Sequence, residues 1–337
     1  MPGPLDIADP DLLGRVRSSF GMHADAVERL PLGADARARV YRVRAHGGDV
    51  LLKVRLGPVN RAGPAVPAFL SARGIPHLIA PIPTLHGASF DEGEVSFVLY
   101  PFVDGANGGE VGLTAAQWTE LGTTMRAIHE QRPDDALLAI LPVEDFVPMR
   151  IAMLREIEAR TDVAAHGEDP ARRELAAFLR SRRDQIRVLV ARTEDLAPRA
   201  RDRAGKSVIC HGDIHAWNVL VTPDDGFVII DWDSATLAPR ERDLMFVDGI
   251  AGGHAADPAA FASGYGDVDA DPVVLAYYRV EWAVQDLAEF AAQVFLDPHA
   301  DAQTRARSAE AVVRLFGPGS EIEAATRSDR PYGGVPT

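Results

Sequence analysis

The stretch His211-Gly-Asp-Ile-His-Ala-Trp-Asn218, followed by Ile230-Asp-Trp-Asp233, holds the densest group of chemically reactive side chains in the sequence. Short apolar runs flank both segments and predict a β-hairpin. One tight loop separates Asp213 from Asn218, and Asp231 ends the next strand, so the Asn218 amide and the Asp231 carboxylate can converge. Such oxygen ligands suit Mg²⁺ bound to phosphates, which leaves Asp213 free to accept a proton.

Outward from this hairpin the chain divides into two regions. Alternating apolar residues predict antiparallel strands over 27–32, 38–44, 49–55 and 94–100, with one short helix over 64–74. Helical periodicity dominates after the capping-box pair Thr114 and Gln117. We therefore expect an α+β fold with a small N-terminal region, a larger helical region and a disordered tail, over residues 1–104, 105–316 and 317–337, with a hinge at 100–105.

Composition excludes several classes of function. The chain has 337 residues and a net charge of −14, which disfavours nucleic acid as a partner. Cys210 is the only cysteine, so an intrachain disulfide or a thiolate metal cluster is not expected. The sequence has no apolar run of the length that a membrane span needs and no signal-peptide pattern at its start, and we expect a cytoplasmic protein with no membrane partner.

The motif order His211-Gly-Asp213, Asn218, Ile230-Asp-Trp232 resembles the catalytic-loop and metal-binding motifs of the aminoglycoside phosphotransferases, which have a two-lobed protein-kinase-like fold. The run from Leu237 to Phe246 resembles the spectinomycin phosphotransferase branch of that family. The resemblance implies that Asp213 is the catalytic base and that Asn218 and Asp231 hold Mg²⁺. It implies an enzyme that uses ATP or GTP to phosphorylate a hydroxyl group of an antibiotic, such as an aminoglycoside or an aminocyclitol, and so confers resistance.

Lys53 is one of only two lysines and lies among apolar neighbours in a predicted strand, where its charge needs an anionic partner. The resemblance implies that it binds nucleotide phosphates and pairs with a glutamate of the following helix. No acidic residue occurs between Lys53 and Asp91. Either another carboxylate, such as that of Asp231, steadies Lys53, or the nucleotide alone holds it.

Three further positions follow from the same resemblance. Gly33 lies between two predicted strands, where the loop that covers the nucleotide would be. Pro101 and Val103 lie where the family joins its lobes and binds the nucleotide base through backbone groups. They are expected to contribute to the nucleotide site.

The segment 241–301 is strongly acidic, with twelve Asp or Glu residues and two Arg residues. Its acids recur at helical spacing around Trp282, on the helix that the resemblance makes the substrate-lining helix. Such a face would attract a cationic antibiotic. The expected substrate residues are Asp233, Glu241, Glu281, Trp282, Asp286 and Glu289.

Three other interpretations remain open at the level of sequence. His211, Asp213 and His215 have the spacing of a zinc ligand set, as in a metallohydrolase. The missing helix acid would also fit a catalytically weak, kinase-like binding protein. A third interpretation keeps phosphoryl transfer and changes the acceptor to a nucleoside antibiotic, a macrolide, or a metabolite such as choline or homoserine.

Overall fold

The computed structural model describes residues 5, 7–31, 37–164, 167–248, 256–267 and 269–326. It has the expected two-lobed α+β architecture, with a four-stranded antiparallel sheet before residue 102 and mainly helices after it. No helix in these ranges is long and apolar enough to cross a membrane.

The first sheet has its strands in sequence order, β1 to β4, over Ala24–Leu30, Ala38–Ala45, Val50–Leu56 and Val95–Pro101. One face of β3 is buried through Val50, Leu52 and Val54. Helix α1 (Asp9–Phe20) covers this core with Leu12, Val16 and Phe20, which repeat about once per turn.

The described residues of this region form two helices, whereas the sequence predicted one. The predicted helix is α2 (Ala62–Ser71), which packs against a short turn over 232–234. Helix α1 precedes the first strand and escaped prediction because its apolar residues are few and Gly14 interrupts them.

The second region is built mostly from helices. Their bounds are α3 Gly108–Val111, α4 Ala115–His129, α5 Asp135–Leu138, α6 Arg150–Ala164, α7 Pro170–Ser181, α8 Arg183–Arg203, α9 Glu241–Leu244, α10 Pro258–Tyr265, α11 Pro272–Phe295, α12 Ala302–Arg314 and α13 Glu321–Thr326. The capping box at Thr114 is present, because Thr114 and Gln117 each accept a hydrogen bond from the other's backbone amide. Helix α11 runs through the core and is buried along most of its length.

Two small sheets interrupt these helices. Their strands are β5 Ala106–Asn107, β6 Ser207–Cys210, β7 Val219–Val221, β8 Phe227–Ile229 and β9 Thr236–Pro239. The predicted hairpin is formed by β7 and β8, and β5 joins its edge. Strand β6 pairs with β9, a partner that the sequence did not reveal. Loops 211–218 and 230–235 connect these two strand pairs and therefore lie side by side.

The C-terminal stretch differs from the expectation of disorder after residue 316. Helix α13 covers the first part of it and contacts α11. Ile322 and Ala325 are buried in the core, which explains why this short helix is ordered. Residues 327–337 lie outside the described residues.

Candidate active site

The two loops are joined by hydrogen bonds between their backbones and side chains. His211 donates from Nε2 to the carbonyl oxygen of Ile230 (2.9 Å), and Ile230 donates its amide to the carbonyl oxygen of Asn218 (2.9 Å). The Asp213 amide donates to Nδ1 of His211 (3.3 Å). Both ring nitrogens of His211 are thus used to hold the loop.

Asp243 fixes the start of the same loop through three hydrogen bonds. Its buried carboxylate accepts the backbone amides of His211 (2.9 Å) and Gly212 (2.7 Å) and a bond from His129 Nε2 (3.0 Å). Burial alone would raise the pKa of Asp243, but the bond from His129 and the nearby His211 outweigh it and lower the pKa. Gly212 is required here, because its φ is +82° and a Cβ would lie 2.3 Å from the Ser234 carbonyl oxygen.

Asp213 projects from this braced loop with both carboxylate oxygens oriented. Oδ1 lies 3.2 Å from His215 Nε2, and Oδ2 accepts from Asn218 Nδ2 at 3.0 Å. Burial raises the pKa of Asp213, but the hydrogen bond and electrostatic attraction of His215, with a smaller contribution from Arg242, outweigh it and hold the pKa below the usual value. The side chain remains 29% exposed. Asp213 is therefore an ionised, accessible proton acceptor.

The arrangement does not fit the zinc interpretation. The described residues contain one group of three close metal-ligand side chains, formed by His129, Cys210 and Asp243, and it does not include His211 or His215. That group is buried and already hydrogen-bonded, and burial raises the pKa of the Cys210 thiol well above its usual value. The predicted set of His211, Asp213 and His215 is not brought together as metal ligands.

Asn218 and Asp231 have the donor chemistry that Mg²⁺ requires. Asn218 uses its Nδ2 to bind the side chain and the carbonyl oxygen of Asp213, so its amide oxygen Oδ1 is the atom that could coordinate a cation. Asp231 adopts a left-handed conformation with φ +59°, which is unusual for a residue other than glycine. The charge of Lys53 lowers the pKa of Asp231, so its carboxylate is ionised. Amide and carboxylate oxygens of this kind fit a Mg²⁺ ion that also contacts phosphates.

Lys53 reaches from β3 to the second region and contacts two carboxylates. Its Nζ lies 3.0 Å from Asp231 Oδ1 and 2.8 Å from Asp233 Oδ2. Of the two alternatives that the sequence left open, other carboxylates therefore steady Lys53, Asp231 among them. Asp233 was expected to contact the acceptor substrate. That role stays a prediction, and the pairing of the Asp233 carboxylate with Lys53 does not favour it. Together with Tyr100, Lys53 and Asp233 line a cavity of about 80 Å³ beside α2.

The remaining nucleotide positions are only partly described. Gly33 lies outside the described residues. Pro101 ends β4, and Val103 follows in the connection to the second region. The amide of Phe102, between them, donates to the carbonyl oxygen of Asp49 (3.2 Å). The roles of these three predicted positions therefore stay predictions.

Most of the predicted acidic substrate residues have other partners. Glu281 pairs with Arg242 at 2.9 Å, with their side chains 16% and 9% exposed. Glu289 pairs with Arg150 at 2.7 Å near the surface. Glu241 is buried and accepts the amide of Asp271 (3.1 Å), at the start of α11.

The ring of Trp282 is also not exposed, so it offers no open face to a ligand. It is 3% exposed and packs edge-on against Phe246, with His215 beside it. A helix pattern cannot distinguish a pocket residue from a core residue on the same face. The substrate roles expected for Trp282 and for the ion-paired glutamates of α11 stay predictions, which the burial and the ion pairs do not favour.

Among the predicted substrate acids, Asp286 lies in the electrostatic surroundings of Asp213. Burial and the nearby charges of Asp213 and Glu321 raise its pKa well above the usual value. Glu321 was missed by the sequence interpretation, since it lies in the stretch expected to be disordered. Burial raises its pKa as well, and His215 opposes that shift. The spacing of Ile322 and Ala325 is the signal that could have revealed α13 after the Gly317-Pro-Gly319 break.

A braced aspartate beside an Asn and Asp pair, with a strand lysine opposite, defines a kinase-like phosphotransferase site. Residues 28–278 match the phosphotransferase enzyme family, and the chain belongs to that family. The structure is similar to that of spectinomycin phosphotransferase APH(9)-Ia in complex with ADP and spectinomycin, with a TM-score of 0.83 and 28% identity, covering 97% of this chain and 99% of that one.

Two other proteins are also similar to this chain. Protein StrN of Streptomyces griseus is 27% identical over 241 residues, which span 69% of this chain and 70% of that protein. A macrolide 2′-phosphotransferase from Brachybacterium faecium shares the fold at a TM-score of 0.50 and 23% identity, covering 90% of this chain and 97% of that one. The resemblance inferred from the motifs is confirmed, both for the family and for its spectinomycin branch.

Proposed function

We propose that the protein is a Mg²⁺-dependent O-phosphotransferase that moves the γ-phosphoryl group of ATP or GTP to a hydroxyl group of a cationic antibiotic, an aminocyclitol such as spectinomycin or an aminoglycoside, and so confers resistance. The observation that carries the proposal is the ionised Asp213 carboxylate, oriented by His215 and Asn218 in a loop beside Asp231. The similarity to a spectinomycin phosphotransferase along nearly the whole chain supports it.

Asp213 would act on the acceptor hydroxyl. A hydrogen bond from the hydroxyl to the Asp213 carboxylate would orient the oxygen toward the γ-phosphorus. A new P–O bond forms to the acceptor as the bond to the bridging β,γ-oxygen breaks. The electron pair of that bond leaves with the nucleoside diphosphate, and the hydroxyl proton passes to Asp213. All atoms and charges are thereby accounted for.

Lys53 and the metal-binding pair would act on the nucleotide. The Lys53 ammonium is charged, because Asp231 and Asp233 raise its pKa against the effect of burial. It would neutralise phosphate charge, and Gly33, Pro101 and Val103 would enclose the nucleotide. Bound Mg²⁺ would neutralise the charge that develops on the phosphates, and Asn218 and Asp231 are the residues that would hold it.

Asp286 and Glu321 would receive the cationic group of the acceptor. Both lie in the electrostatic surroundings of the Asp213 and His215 pair, and burial raises the pKa of both. An ammonium group would favour their ionised forms and would be held near the catalytic aspartate. Glu281 and Glu289 are already neutralised by arginine, so the positive substrate group is assigned to Asp286 and Glu321.

The test is acceptor-dependent nucleotide turnover. Purified protein is mixed with ATP or GTP and Mg²⁺ and offered spectinomycin, then other aminocyclitols, kanamycin, a macrolide, a nucleoside antibiotic and choline. Release of nucleoside diphosphate is coupled to a mass measurement of the acceptor. We expect spectinomycin or a related cation to gain one phosphoryl group, with a KM that rises with ionic strength.

Asp286→Asn should raise the KM for the cationic acceptor, and Asp195→Asn, an exposed acid paired with Arg199, is the control with the same change of charge. Preference for an uncharged acceptor, with no response to Asp286→Asn, would contradict the assigned substrate class. Nucleotide binding without turnover on any acceptor would contradict the enzymatic function itself.

A further inference from the structure

Lys53 is held by a carboxylate from an unexpected direction. Helix α2 (Ala62–Ser71) follows its strand and has no acidic residue. Asp233 instead supplies the nearer partner, with its Oδ2 at 2.8 Å from the Lys53 Nζ, against 3.0 Å for Asp231 Oδ1. The lysine of the first region therefore pairs with two acids that are only two residues apart in the second region.

Helix α2 shapes the position of Asp233 without charge. Asn60, just before the helix, donates from Nδ2 to the carbonyl oxygen of Asp233 at 2.6 Å and accepts the amide of Ala62 with its Oδ1. Gly63 leaves space for the acid, because a Cβ there would lie 3.0 Å from Asp233 Oδ1. The start of the helix thus holds the Asp233 side chain next to Lys53.

We propose that Asp233 is a positioning residue, which holds the Lys53 ammonium for the nucleotide phosphates and so leaves Asp231 available to the metal ion. This inference rests on the proposed phosphotransferase function. Asp233 replaces, from the opposite region, the helix glutamate that the resemblance led us to expect. A lysine paired with Asp231 alone would compete with the metal ion for that carboxylate, and the second carboxylate of Asp233 reduces this competition by sharing the ammonium.

The first test compares Mg²⁺ dependence in matched variants. Asp233→Asn keeps the shape of the side chain and removes its charge, so the Lys53 ammonium can form an ion pair only with Asp231. We expect the half-saturating Mg²⁺ concentration to rise and kcat to fall by about 10- to 100-fold, the effect typical of removing a residue that orients a metal ligand. Asp195→Asn makes the same change of charge at the surface and should leave both values at those of the wild type.

A second variant disturbs the same contact from the helix side. Gly63→Ala would press on the Asp233 carboxylate and should change Mg²⁺ dependence in the same direction, by a smaller factor. Gly14→Ala is its control, because a Cβ at Gly14 of helix α1 meets no atom within 4 Å. If Asp233→Asn fails to fold, Gly63→Ala decides the question.

¹³C NMR of the lysine side chains reports on the Lys53 contacts without requiring catalytic turnover. Lys53 and Lys206 are the only lysines, so selective ¹³C labelling gives two sets of signals, and exposed Lys206 serves as an internal reference. In Asp233→Asn the Lys53 signals should shift and sharpen toward those of Lys206 as the side chain gains freedom. In Asp231→Asn they should stay close to the wild-type position, since Asp233 still holds the ammonium.

The opposite pattern would overturn the proposal: unchanged Lys53 signals and Mg²⁺ dependence in Asp233→Asn, with a freed Lys53 in Asp231→Asn. This would show that Asp231 alone holds the lysine. Failure of every acceptor to be phosphorylated by the wild-type protein would overturn the proposed function, and the lysine spectra would still decide the role of Asp233.

Discussion

Two glutamates of α11 allow a sharp comparison, because both pair with arginine but at different depths. The Glu281 and Arg242 side chains are 16% and 9% exposed, whereas those of Glu289 and Arg150 are 44% and 36% exposed. Replacing Glu281 by Gln leaves the Arg242 guanidinium buried without its closest counter-charge. Replacing Glu289 by Gln leaves Arg150 beside water, which can solvate it.

The expected loss of stability follows from this burial. Removing one partner of a buried pair costs about 3–5 kcal/mol. The lower end applies to Glu281→Gln, because Glu144 also lies near Arg242 and the Tyr278 ring is 5.5 Å from its guanidinium carbon. For 337 residues the unfolding entropy is about 0.7 kcal/mol/K, so a loss of about 3 kcal/mol lowers Tm by about 4 °C. A half-exposed pair contributes about 0–1 kcal/mol, or at most about 1.5 °C for Glu289→Gln.

The assay is thermal and urea unfolding of both variants beside the wild type, with acceptor kinetics measured on the same samples. We expect a clear drop in Tm for Glu281→Gln alone, and a KM for the acceptor near the wild-type value for Glu289→Gln. Equal stability of the two variants would refute the assignment of a buried ion pair. A large rise in the KM for the acceptor without loss of stability in Glu281→Gln would show that Glu281 contacts the substrate.

Three further predictions concern the catalytic loop and its surroundings. Asp286 has a raised pKa in the folded state, so the folded protein holds a proton that the unfolded chain releases, and the stability of the wild type falls as pH rises above the usual pKa of 3.8. Asp286→Asn should therefore have a higher Tm than the wild type, and the difference in Tm should grow from pH 5 to pH 8. Asp243→Asn offers one acceptor oxygen where the carboxylate has two, so one loop amide is left unpaired. This should lower the free energy of unfolding by about 1–3 kcal/mol and speed hydrogen exchange of the His211 and Gly212 amides. The control Asp224→Asn, in an exposed turn, should change neither. Gly212→Ala should abolish turnover because its Cβ would overlap the Ser234 carbonyl oxygen, while Gly205→Ala, where a Cβ meets no atom within 4 Å, should retain it; equal activities would contradict the close approach of Gly212 to Ser234.

The local geometry of the proposed catalytic loop, residues 211–218, could be predicted from the sequence because it depends on short spacing. Asp213 and Asn218 lie on one tight loop, and a single hairpin brings Asp231 beside them. Short sequence separation leaves the chain few ways to arrange such groups. The capping box at Thr114 was predictable for the same reason.

Contacts between distant parts of the chain could not be predicted. The pairing of Lys53 with Asp233 joins residues 180 positions apart, and nothing in the local pattern of either residue marks the other. On α11 the acids recur with helical spacing whether they face solvent, an arginine or a pocket. Arg242 and Arg150 lie outside that helix, so only the three-dimensional fold shows that Glu281 and Glu289 are already neutralised.

In the proposed reaction Asp213 accepts the hydroxyl proton during phosphoryl transfer to a small-molecule acceptor. The most direct measurement follows ³¹P NMR of the acceptor after incubation with ATP, Mg²⁺ and spectinomycin, for the wild type and for Asp213→Asn, with nucleotide affinity measured in parallel. We predict a phosphate ester on the acceptor with the wild type and a kcat lower by about 10² to 10⁴ in Asp213→Asn, with the affinity for ADP nearly unchanged. Retention of most of the turnover in a folded Asp213→Asn variant would contradict the claim.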